Sequence, residues 1–93
     1  MRLIEEQMLT AVHARSNFSK DNTLVRYVPG VNTTAIYLHG HHIATYVHYT
    51  ETMMPINETF IDWPTRTTAS RLRALGIKAS LKQGQAAIDG VIL

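Results

Sequence analysis

The chain lacks cysteine altogether, which removes disulfides, thiolate nucleophiles and cysteine-held zinc in one step. Stability must come from packing, and the absence suits a cytoplasmic protein. No stretch approaches the roughly 18 to 20 consecutive apolar residues that span a bilayer, so no membrane partner is expected. Glu5 and Glu6 interrupt the start of the chain before a signal-peptide segment can form, and secretion is not expected. Catalytic signatures are missing as well: there is no Gly-x-Ser-x-Gly elbow, no glycine-rich phosphate loop and no His-Glu-x-x-His helix. A chain of 93 residues fits one domain, 1–93, with a modest core, which favours a binding role over an enzyme. Nothing in it implies a cofactor or a resident metal.

The net charge of +2 names no partner, but it is unevenly spread. Residues 51–62 hold Glu51, Glu58 and Asp62 and no base. Residues 63–93 hold Arg66, Arg71, Arg73, Lys78 and Lys82 against Asp89, a local net charge of +4. Attraction to phosphate or to an acidic protein surface is expected to centre there.

The hydrophobic pattern predicts an α+β fold: an N-terminal helix and a short second helix on an antiparallel sheet of about five strands. Ile4, Met8, Ala11 and Val12 recur at helical spacing, with an end expected near Arg15 or Ser16. Residues 16–22 are rich in turn formers and read as a loop. Period-two, β-branched segments at 24–28, 33–39 and 42–49 read as a meander of three strands. Pro29-Gly30 is expected to form a type II turn and Gly40-His41 a type II′ turn. That second turn sets His39 opposite His42, Tyr37 opposite Ala44 and Ala35 opposite Tyr46. Ile36, Leu38, Ile43, Thr45 and Val47 then face the core, while Tyr37, His39, His42, Tyr46 and His48 share the outer face. Residues 50–59 read as a loop and 60–63 as a short strand. Threonine caps at 65–68 open a helix that Gly76 stops, and two more strands follow around Gln83-Gly84-Gln85.

Three groups of residues are candidates for function. His39, His42 and His48 can assemble imidazoles for a divalent ion, the basis of a metal-enzyme alternative, although no acid lies near them in sequence to orient the rings. Tyr37 and Tyr46 can stack on unpaired bases, with Arg66, Arg71 and Arg73 on phosphate, the basis of a nucleic-acid alternative. The same tyrosines and arginines, with Trp63, Met53 and Met54, are also the types enriched at protein interfaces. Each has a plainer reading: a polar hairpin tip tolerates histidine, five bases are often a solvated face, and Trp63 suits a core plug at a strand end.

Three stretches stand out together: residues 15–23 with Asn22-Thr23, residues 37–44 with Leu38-His39-Gly40, and Trp63-Pro64-Thr65-Arg66-Thr67-Thr68-Ala69-Ser70-Arg71-Leu72. Their order resembles a family of small phage-encoded proteins of uncharacterised function, over residues 11–76. Where that family often carries another polar residue after Ser-Arg-Leu, this chain has Arg73, one more positive charge on the helix. The resemblance implies no catalytic residue. It implies an accessory protein that binds and inhibits a host protein or ribonucleoprotein complex, such as a CRISPR surveillance complex, in the host cytoplasm.

Overall fold

The computed structural model describes residues 1–93. Helix α1 (Leu3–His13) buries Met8, Ala11 and Val12 on the face predicted from their spacing. It ends earlier than expected, at His13, because Arg15 adopts the left-handed region (φ 53°) and turns the chain. Five strands follow, interrupted only by turns: β1 (Phe18–Lys20), β2 (Thr23–Val28), β3 (Thr33–Leu38), β4 (His41–Val47) and β5 (Thr52–Pro55). They pair antiparallel in that order to form one sheet. Helices α2 (Asn57–Asp62) and α3 (Arg66–Ala74) come next, and β6 (Ala79–Lys82), β7 (Gln85–Ile88) and β8 (Val91–Ile92) form a second, three-stranded sheet. The α+β class is as expected; the C-terminal strands pair with one another and do not join the main sheet.

Several local expectations are corrected. Part of the segment read as a loop at 16–22 is strand β1, and residues 52–55, also read as loop, are edge strand β5. Phe60-Ile61-Asp62 is helical, not extended, with Phe60 the one buried residue of α2. Pro29-Gly30 is not a type II turn. The connection is the four-residue loop Pro29 to Asn32, closed by the Asn32 N–H donating to the Pro29 carbonyl at 3.2 Å, and Asn32 rather than Gly30 takes the positive φ (51°).

The β3–β4 turn is centred on His39-Gly40, not Gly40-His41. Both residues have positive φ (51° and 79°), the type I′ geometry whose twist matches paired strands and whose second position suits glycine. Leu38 therefore pairs with His41 and Tyr37 with His42. The register then slips by one, so Ile36 pairs with Ala44, Ala35 with Thr45 and Thr34 with Tyr46. Two β4 residues opposite one on β3 form a bulge, and it lets Ile43 and Ala44 both enter the core. Beyond the bulge every β4 side chain changes face relative to the expected register. Ile36, Leu38 and Ile43 are buried as expected, but Thr45 and Val47 turn outward and Tyr46 and His48 turn toward the helices.

The helices pack on the main sheet through α1 against β2 and α2 and α3 against β4, and the small sheet packs on α3 and α2. Fourteen buried residues make one cluster, running from Met8 and Val12 through Val25, Ile36 and Phe60 to Leu72, Ala79 and Ala86. Residues of both sheets thus share a core. No helix is long and apolar enough to cross a membrane.

Candidate functional site

The sequence motifs at Asn22-Thr23 and Ser70-Arg71 meet in space. Arg71, expected on the surface, is only 3% exposed. Its Nη1 donates to Glu5 Oε2 at 2.9 Å, its Nε to Thr23 Oγ1 at 3.2 Å and its Nη2 to Asn22 Oδ1 at 3.5 Å. Ser70 Oγ donates to the same Glu5 oxygen at 2.6 Å, and the Arg2 N–H donates to Glu5 Oε1 at 3.2 Å. Burial raises the Glu5 pKa, but the donors from Ser70, the Arg2 backbone and Arg71, with the Arg71 charge, outweigh it and hold the carboxyl below its usual value. The His39 N–H donates to the Asn22 carbonyl at 2.8 Å, tying the β3–β4 turn to the same network. Arg71 is therefore a clamp between α1, β2 and α3, and the buried Glu5 is its counter-ion.

Tyr46 and His48 also leave the surface expected for them. His48 is buried, with Nε2 2.7 Å from Thr34 Oγ1. Its ring lies edge-on to Tyr46 (4.9 Å) and Tyr27 (5.6 Å), and Tyr46 lies edge-on to His13 of α1 (5.4 Å). Loss of water, then the charges of Arg15 and His13, lower the His48 pKa, so the fold holds a neutral imidazole. His42 is on the opposite face of the sheet, 2.8 Å from Thr45 Oγ1, and His39 sits in the turn. The three histidines do not converge, and no cluster of three metal-ligating side chains exists anywhere in the chain.

Three arrangements remain available to a partner. The first is the outer face of the main sheet, where Leu24, Arg26, Val28 and Met54 are exposed. Register places Leu24, Arg26 and Val28 of β2 there, with Ala35 and Tyr37 of β3, His42, Thr45 and Val47 of β4 and Met54 of β5. Tyr37 and His42 stack at 5.1 Å at its β3–β4 turn end, while Leu24 and Met54 remain 38% and 52% exposed. Arg26 is the one charged side chain in this set. The five strands, three to seven residues long, at about 3.3 Å per residue and about 4.8 Å apart, present roughly 400 Å², the size at which an exposed patch is often functional. Tyr37, His42 and Met54 were legible from sequence; Leu24, Val28 and Val47 were not, although their alternation with threonine and arginine carried the signal.

The second arrangement is a cavity of about 510 Å³ lined by Arg66, Ala69, Arg73, Leu81 and Gly84. Thr65 caps α3 by accepting the Thr68 N–H at 3.1 Å, and residues 66, 69 and 73 then fall on one helix face. The third is a smaller cavity of about 160 Å³ under Trp63. Trp63 is no core plug: it is half-exposed and stacks on His41 at 4.5 Å.

In comparisons with known proteins, the family model described as Kyanoviridae Gp96 protein matches residues 1–90. No curated protein and no solved structure matches the chain.

Proposed function

We propose, from the premise that the chain belongs to the Kyanoviridae Gp96 family and is a phage protein, that it is a non-catalytic accessory protein that binds and inhibits a host protein complex. A defence assembly such as a CRISPR surveillance complex is the kind of target this reading names, and the host cytoplasm is its place of action. The observation that carries the reading is the exposed outer face of the five-stranded sheet. Its Tyr37–His42 stack lies among aliphatic side chains, with Arg26 as a single charge. That surface suits another protein better than a nucleic-acid backbone, which needs several cations for affinity. Roughly 400 Å² is about half of one partner's share of a standard interface, so the contact extends beyond the sheet onto its rim.

Affinity purification from host lysate tests the reading, with the wild-type chain beside a Leu24→Asp, Met54→Asp variant. Both substitutions lie on exposed positions, where the fold is expected to tolerate them. One dominant, stoichiometric host partner is expected with the wild type and none with the variant. Recovery of the same partner by both would refute the placement on this face. Recovery of nucleic acid alone, in a salt-sensitive complex, would favour the nucleic-acid alternative.

A further inference from the structure

The cavity beneath α3 has a chemistry the outer sheet face lacks. The Arg66 side chain makes no hydrogen bond within the protein, and neither Arg66 nor Arg73 has a carboxylate within 4.0 Å, since Glu5–Arg71 is the sole ion pair of the chain. Arg73 is held in place because its Nη1 donates to the Ala79 carbonyl at 3.0 Å, which leaves its other donors free. No acid lines the cavity. Helix α3 also begins the wrong way round electrostatically. Its first residue is Arg66 and its first turn holds no acid, so a cation stands at the positive end of the helix dipole with nothing to offset it. Ala69 and Leu81 give the cavity an apolar part beside the two arginines. A volume of about 510 Å³ is within the range of small-molecule sites.

We infer that this cavity, between α3 and the β6–β7 hairpin, binds a phosphate-bearing ligand of nucleotide size, with Arg66 and Arg73 on the phosphate and Ala69 and Leu81 beneath the rest. Two planar forks from one helix face match the oxygens of a phosphate group. An anion here would also neutralise the cation at the start of α3. Arg71, between them in sequence, takes no part because it points into the core toward Glu5. The site is remote in chemistry from the outer sheet face, and it stands or falls separately from the protein-binding reading.

Titration of the full chain with a nucleoside monophosphate, a nucleoside diphosphate and a single-stranded decanucleotide carrying a 5′ phosphate, followed through the arginine Nε–Hε signals, tests the inference. The Arg66 and Arg73 signals are expected to shift with saturation while Arg71 stays fixed. Arg66→Glu should weaken binding by about tenfold or more, the loss of a charge-assisted contact. Because Arg73 also braces Ala79, Arg73→Lys serves as the second variant, keeping the charge and losing the fork, and an intermediate loss is expected. A free nucleotide is the source if mononucleotides bind as well as the strand, and a strand end is the source if only the 5′-phosphorylated oligonucleotide saturates; either result supports the site. No shift with any of the three probes, or equal binding by wild type and Arg66→Glu, overturns it.

Discussion

Removing the Arg71 side chain is expected to destabilise the fold far more than removing any other surface-type residue. Glu5 and Arg71 are 4% and 3% exposed, so Arg71→Met leaves a buried carboxylate supported only by the Ser70 hydroxyl and the Arg2 N–H. Breaking one side of such a pair costs about 3–5 kcal/mol. Against a total stability of about 5–15 kcal/mol that is a large fraction. At about 4–8 °C per kcal/mol for a domain of this size, the melting temperature falls by roughly 12–40 °C. The loss must also depend on pH. In the wild type the Glu5 pKa is depressed below 4.5, so its contribution is present above that value and is lost as pH falls through the folded pKa. Without Arg71 the Ser70 and Arg2 donors remain but the Arg71 contact and charge are gone, so the folded pKa is depressed less and the variant loses less stability as pH falls. Urea unfolding at pH 7 and pH 4 measures both effects, and the gap between wild type and variant should narrow at pH 4. A Glu5→Leu, Arg71→Met double variant should recover much of the loss, because no unpaired charge remains. A single-variant loss under about 1 kcal/mol at pH 7, or a gap that does not change with pH, would refute the clamp.

Other outcomes follow from the same structure. His48 has a folded pKa below 6.5, so the unfolded chain binds its proton more readily. Stability should be complete above pH 6.5 and decline as pH falls below it; urea unfolding from pH 7.5 to 5.5 should show that slope, reduced in His48→Gln, and equal slopes would contradict it. Gly40→Ala should cost about 1 kcal/mol by thermal melting, purely through its φ of 79°, because nothing lies within 4 Å of the added methyl group. His39→Asn should hold or raise the melting temperature, since Asn-Gly is the preferred type I′ pair; a marked loss would favour a turn centred elsewhere. Leu24→Asp and Met54→Asp should each change stability by no more than about 0.5 kcal/mol, and a larger loss would mean that the outer face is packed.

The parts of the fold that depend on local pattern were legible: α1 from its apolar spacing, β2, β3, β4, β6 and β7 from their composition and period, and the capped α3 with Gly76 (φ 91°) at its end. The turn was misplaced by one residue because Gly40 satisfies either the first position of a type II′ turn or the second of a type I′ turn. The bulge at Ile43-Ala44 leaves no mark in the alternation, and it alone sends Tyr46 and His48 to the helix side. Phe60-Ile61 looked extended because aromatic and β-branched residues favour strands, and a six-residue helix is too short to display its own period. Arg71 looked exposed for a different reason. A buried arginine needs a partner, and its partner lies 66 residues away in the first turn of α1. Of Arg66, Arg71 and Arg73, grouped from sequence as one basic segment, the helix places Arg66 and Arg73 on the cavity and turns Arg71 into the core.

Site-specific photo-crosslinking addresses the proposed recognition face most directly. A photoreactive residue placed at Leu24 or Met54 reports on the outer sheet, and one placed at Glu6, exposed on α1, or at Arg66 reports on the other surfaces. In infected cells the two outer-sheet positions should each yield the same host-protein adduct, with none from Glu6 or Arg66. Adducts from Glu6 or Arg66 with silence at Leu24 and Met54 would place the partner elsewhere and contradict the account.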